Sequence, residues 1–223
     1  METVYFDSQI FRELKKEENK SLLDKILKLK NDKLEYVYFD AHIYDLQNDK
    51  TDKKIEDLKF MSNIVENNYM LFDINTNSFI KNETNIENNF MQKFIPHYYN
   101  PTIGEIATTT NNTLKNYFEN IKSYREDRKD IKNILGNNNK DMVYKSINNI
   151  LKLDIDIKFK FIAIYNMLDM LSEISEKTSK LKYRNMTIDA MHSFNSMSSD
   201  YFITNDNKLM LKSKELYKII MRT

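Results

Sequence analysis

Residues 198–209 read SSDYFITNDNKL. The apolar run Tyr201 to Ile203 is strand-like, yet Asp200 and Asp206 bracket it in a stretch that otherwise has helical character. Acids gain nothing from burial in a strand, so their position has to be explained by what lies at the strand ends. A similar junction opens the chain: TVYFD, residues 3–7, is a β-prone run that ends in Asp7. LEYVYFD, residues 34–40, forms a second strand candidate, and YMLFDI, residues 69–74, a third.

Between these runs the apolar period changes to that of a helix. Ile10, Leu14, Leu22, Leu23, Ile26 and Leu29 give one helical pattern from Ser8 to Asn31. AHIYDL starts another helix, and TDKKIEDLKFMSNIVEN reads as a helix capped by Thr51 or Asp52. Residues 75–179 change character: two long helical patterns, about 103–135 and 140–179, follow the turn PHYYNP. The chain closes with a helix around NMTIDAMHSF capped by Thr187, the strand YFIT and a last helix. Alternating strands and helices predict an α/β sandwich with a short, mostly parallel sheet. The expected division is a discontinuous core, residues 1–74 and 180–223, carrying a helical insertion over residues 75–179.

Composition removes several chemistries. With no Cys, disulfides, thiolate metal sites and cysteine nucleophiles are excluded. Two Gly, at 104 and 136, are too few for any glycine-rich phosphate cradle. Three His without an HExxH spacing argue against a zinc hydrolase. No apolar run approaches the roughly 20 residues that span a bilayer, and METVYFDSQI lacks the apolar core of a signal peptide, so a cytoplasmic protein is expected. The net charge of +1 speaks against a strongly basic tail while leaving room for a basic face.

Ligands of open α/β sheets bind beyond the carboxyl ends of the strands. Asp7 and Asp206 follow the first and last strands, Asp45 belongs to the helix after the second, and Asp189 opens the helix leading to the last. Four carboxylates in a small volume repel, so such a cluster holds protons or binds cations. Hard divalent ions, Mg2+ or Mn2+, suit oxygen ligands and support phosphodiester hydrolysis. Each acid also has a plainer role: Asp7 and Asp206 suit helix N-caps, Asp189 a first-turn charge, Asp45 a solvated helix position and Asp200 a turn.

These junctions resemble the PIN-domain ribonucleases. The likeness is carried by VYFDSQIF, by FDAHIYDL with Asp45–Leu46 in the acid–Leu position, and most specifically by IDAMHSFNSMSSDYFITNDNKL. His42 stands where that family usually has Thr, Phe39 where it has Ser, and Asp45 where Glu is more usual. The resemblance implies a three-layer α/β/α fold and a metal-dependent endoribonuclease. Asp7, Asp45, Asp189 and Asp206 would hold Mg2+ or Mn2+, with Asp200 as a fifth member and Thr204 and Asn205 holding the last acid in place. Water would attack phosphorus in line, with no covalent enzyme intermediate. Single-stranded RNA is the expected substrate, and a toxin–antitoxin or defence setting brings in a protein inhibitor; a second copy of the chain is the other partner considered. The alternatives are a DNA-directed nuclease and a catalytically impaired PIN-like protein acting through its helical insertion.

Cations for the phosphate are offered by Lys182 and Arg184 in KLKYR and by the last helix. There Lys208, Lys212, Lys214, Lys218 and Arg222 are opposed by Glu215 alone. A solvated face is the ordinary meaning of such a run. His192, three residues after Asp189, shares its helical face and would orient that carboxylate or contact phosphate. His42 and Asp45 repeat the spacing.

Overall fold

The computed structural model describes residues 1–30, 32–48, 51, 53–94, 139–171, 173–175 and 183–221. The helical pattern expected over 103–135 lies outside them, as does the PHYYNP turn. The protein is α/β, with nine α-helices among the described residues and a small, mostly parallel sheet. The chain divides into two compact units: Met1–Phe94 with Asn195–Asp206, and Ile95–Phe194 with Asn207–Thr223.

In the first unit, strand β1 (Glu2–Phe6) is central, between β2 (Leu34–Val37) and β5 (Tyr201–Ile203). Both pairings are parallel, with Tyr5 opposite Val37 on one side and Phe202 on the other. All three carboxyl ends therefore point to one edge. Side chains alternate across a strand, and both faces of β1 are covered. Val4 and Phe6 join Ile10, Phe11 and Leu14 of helix α1 (Ser8–Leu14) in the larger core, while Tyr5 packs with Val37, Phe39 and Phe202. A strand buried on both faces is the usual condition of a parallel sheet.

The helix expected from Ser8 to Asn31 is two helices. After α1 the chain makes a 3-10 turn, Glu17–Asn19, before α2 (Lys20–Leu29). The backbone turns extended at Lys16, and Asn19 donates from Nδ2 back to the Glu13 carbonyl at 2.8 Å. Helix α3 (Asp40–Asn48) follows β2, and α4 (Lys54–Val65) starts after Lys53, whose position replaces the Thr51 or Asp52 cap expected.

The third strand forms a hairpin. β3 (Asn68–Asp73) pairs antiparallel with β4 (Ser78–Glu83), a strand not expected from the sequence. The turn is closed by Asp73, whose carboxylate accepts from Asn75 N at 2.9 Å and Thr76 Oγ1 at 2.9 Å. Asn77 takes the left-handed position, φ 51°, that Gly would usually fill. A parallel bridge from Tyr38 to Tyr69 joins the hairpin to the chain beyond β2. Helix α5 (Ile86–Phe94) closes the unit's larger core with Ile86 and Phe90.

The described part of the second unit is helical. Helices α6 (Asn139–Leu151) and α7 (Ile157–Leu168) replace the single pattern expected from residue 140, and Asp156 caps α7 by accepting from Lys158 N at 2.7 Å. They are followed by α8 (Tyr183–Asn195), a 3-10 turn Ser196–Ser198, and, after β5, α9 (Asn207–Ile220). Phe161 sits edge-on to Phe194 at 5.2 Å, one of several apolar contacts that hold α7, α8 and α9 together. Within this core Lys212 is fully buried, 2.9 Å from Asp169 Oδ1 and over the Tyr165 ring at 4.9 Å. Among the described residues no helix is long and apolar enough to cross a membrane.

Candidate functional site

The junction from β1 to α1 places Asp7. Its backbone is extended, φ −65° and ψ 148°, at the N-cap position, yet its side chain makes no capping hydrogen bond. The backbone instead continues the ladder: Asp7 N donates to Ile203 O at 2.9 Å, and Asp7 O accepts from Ile10 N at 2.9 Å. That leaves the buried carboxylate directed elsewhere, and Thr204 Oγ1 donates to its Oδ2 at 2.9 Å. The same hydroxyl accepts from Asp206 N at 3.0 Å. One threonine thus ties the two acids that follow the first and last strands of the sheet.

Asp45 reaches the same edge from α3. It is half-buried, and a carboxylate oxygen of Asp45 lies within 4.8 Å of one of Asp7. Helix α3 is fixed against β1 by His42, whose Nε2 lies 2.8 Å from Phe6 O and whose Nδ1 accepts from Phe39 N at 3.2 Å. Asp206 is half-buried and immediately precedes α9; Asn205 beside it is exposed.

One expected member, Asp200, lies elsewhere. Asp200 precedes β5, so parallel pairing puts it at the amino edge of the sheet, away from Asp7. There it accepts from Thr3 N at 2.7 Å and Thr3 Oγ1 at 2.9 Å, and its own N donates back to Thr3 Oγ1 at 3.1 Å. These bonds, that from the Thr3 backbone foremost, hold the Asp200 carboxyl below the usual carboxylate range. Asp200 therefore anchors the register of β1 and β5.

Asp189 and His192 stand one turn apart on α8, in the second unit. The helix starts at Tyr183, so Asp189 falls in its middle, not at its opening, and Thr187 is a buried helical residue, not a cap. His192 is fully buried. Lys208 donates from Nζ to Glu173 O at 3.0 Å. Burial of Lys212 removes it from the basic face the sequence suggested. Lys182 lies outside the described residues, as does the side chain of Arg184.

The sequence reading passed over Asp40, the first residue of α3. Tyr69 OH donates to its Oδ1 at 2.6 Å. Burial first, and the Asp40 charge second, push ionisation of the Tyr69 hydroxyl far up, so it stays a donor. The signal was the FD that ends the second strand run, which repeats the FD of Phe6–Asp7.

Two carboxylates within 4.8 Å of each other, both charged, repel by at least about 3.5 kcal/mol at an effective dielectric of 20. Asp7 is buried, and the donor to its Oδ2, Thr204 Oγ1, is neutral. Oxygen donors of this kind match a hard divalent cation and not a soft one. The chain matches no protein-family model, no curated protein and no solved structure.

Proposed function

We propose that this protein is a PIN-like, three-layer α/β/α metal-dependent endoribonuclease that hydrolyses single-stranded RNA. The observation carrying this is the orientation of Asp7: a buried carboxylate at an N-cap position that declines to cap its helix and instead lies within 4.8 Å of Asp45. A structural aspartate there would bond its own helix N-terminus; a ligand is turned toward a second acid.

Asp7 and Asp45 would hold Mg2+ or Mn2+, joined by Asp206 through the shared Thr204 link. Asp189 is added to the set from the sequence resemblance, and His192 as its orienting neighbour from the three-residue spacing between them. A divalent cation supplies two things at such a site, a lower pKa for water and charge to offset the phosphate. Thr204 keeps the Asp7 carboxylate in one orientation, because its hydroxyl is itself fixed by the Asp206 amide. Water then forms a bond to phosphorus as the bond to the leaving ribose oxygen breaks. Lys208, Lys214 and Lys218 of α9 are the described cations for the RNA backbone, with Lys182 and Arg184 added from the sequence, and Asn205 is exposed beside Asp206 to meet a polar group of the substrate. A cytoplasmic toxin or defence component restrained by a protein inhibitor is the setting that the family resemblance suggests.

The test is cleavage of a labelled single-stranded RNA with Mn2+, with Mg2+ and with chelator, beside Asp7→Asn and Asp206→Asn. Metal-dependent cutting should fall by about 10²-fold or more in both variants, as when a principal charge-stabilising group is lost. Folded wild type that cuts RNA no faster than the variants would sink the proposal, and the same assay on single-stranded DNA would show whether deoxyribose is the true substrate.

A further inference from the structure

We infer that His42 is the positioning residue of this acidic pair. The inference rests on the metal-site reading above and assigns the part that sets its geometry. His42 is fully buried, with its ring edge-on to Tyr5 at 5.0 Å and Phe11 at 5.6 Å. Those contacts would be satisfied by Phe or Leu, so apolar packing alone does not call for an imidazole. Both ring nitrogens are used, and their roles follow from the partners. Phe39 N–H can only donate, so Nδ1 accepts. The proton therefore sits on Nε2, which donates to the Phe6 carbonyl, a group that can only accept.

The Phe6 carbonyl belongs to the same peptide group as the Asp7 N–H. In a trans peptide these two point in opposite directions. The N–H is held by Ile203 O on the β5 side and the carbonyl by His42 on the α3 side. The plane from which the Asp7 side chain springs is thereby gripped at both ends. His42 also lies three residues before Asp45, one turn away on the same helix. A single side chain thus ties the peptide that carries one acid to the helix that carries the other, and so fixes the separation of their carboxylates. Groups that orient ligands in this way typically alter metal affinity 10- to 100-fold when lost.

Two substitutions divide the two bonds of the ring. The amide nitrogen of Gln reaches the place of Nε2, so His42→Gln keeps the bond to Phe6 O and drops the bond from Phe39 N. The amide of Asn reaches only the place of Nδ1, so His42→Asn does the reverse. Mn2+ affinity is measured by titration with paramagnetic resonance, with folding checked by circular dichroism. His42→Gln should bind Mn2+ within about three-fold of wild type, whereas His42→Asn should bind about ten-fold or more weakly. Equal affinity in wild type and His42→Asn overturns the inference, as does a loss in His42→Gln matching that in His42→Asn. The metal reading is separated by Asp7→Asn: no Mn2+ binding by wild type, or binding that survives Asp7→Asn, removes the site and the inference with it. Nitrogen-15 resonances of the wild-type ring give a readout that needs no variant. They should place the proton on Nε2, and a proton on Nδ1 overturns the proposal directly.

Discussion

Neutralising Asp45 should make the protein more stable without metal and less stable with it. The acids are within 4.8 Å, where two full charges repel by at least about 3.5 kcal/mol at an effective dielectric of 20. Water around half-buried Asp45 screens part of that, leaving roughly 1–2 kcal/mol to be recovered by Asp45→Asn, which keeps the shape of the side chain. For a chain of 223 residues, each kcal/mol moves the melting temperature by about 2–4 °C, so the variant should melt about 2–8 °C higher in chelator. Mn2+ at a hundred times its Kd stabilises a protein that binds it only when folded by about 2.7 kcal/mol. Wild type should gain that and the variant little of it, so the order of melting temperatures reverses on adding metal. Differential scanning fluorimetry at pH 7 with and without Mn2+ reads both halves. A variant that melts at or below wild type in chelator, or that rises with Mn2+ as far as wild type does, would show that the two carboxylates do not share a cation site.

Two further outcomes concern other residues. Lys212→Ala should cost about 3–5 kcal/mol in urea unfolding, since it leaves Asp169 charged and buried. Joint replacement by Lys212→Met and Asp169→Leu should recover most of that loss, and a single variant that unfolds like wild type would deny the pairing. Asp200 has its folded pKa lowered by Thr3, so its contribution to stability is present above the unfolded carboxyl value, about 4, and is lost as pH falls through the folded value. Asp200→Asn should therefore be less stable than wild type at pH 7, with the gap closing near pH 2; a gap that is the same at both would contradict the sign.

The parts of the fold legible in the sequence are those that local composition and strand-end acids mark. TVYF and YFI are strands because aromatic and β-branched residues cluster there, and Asp7 and Asp206 stand out because each ends such a run. The β3–β4 hairpin was hidden because its left-handed turn position is filled by Asn77, in a chain that has almost no Gly to signal turns. The break between α1 and α2 was hidden because apolar spacing runs on across it, while the backbone turns extended at Lys16 and Asn19 bonds back to the Glu13 carbonyl. Lys212 was counted with a basic face, although Leu209, Lys212, Ser213 and Leu216 have the spacing of a buried stripe. Charge tallies ignore which way a helical position faces. Asp200 and Asp206 look alike in sequence, and only the direction of β5 assigns one to the amino edge and the other to the carboxyl edge.

The two threonine–aspartate ties of the sheet, Thr3 to Asp200 and Thr204 to Asp7, each span 197 residues. Closing a loop that long costs about 5 kcal/mol in chain entropy before any contact repays it. Strand β5 should accordingly dock late in folding, long after local helices have formed. Until it does, β1 presents an open, apolar edge, and Asp7 lacks the hydroxyl that orients it. A chain arranged in this way completes the hydrogen bonding of Asp7 as one of its last acts, and a molecule stalled before that step is exposed to aggregation at the same strand.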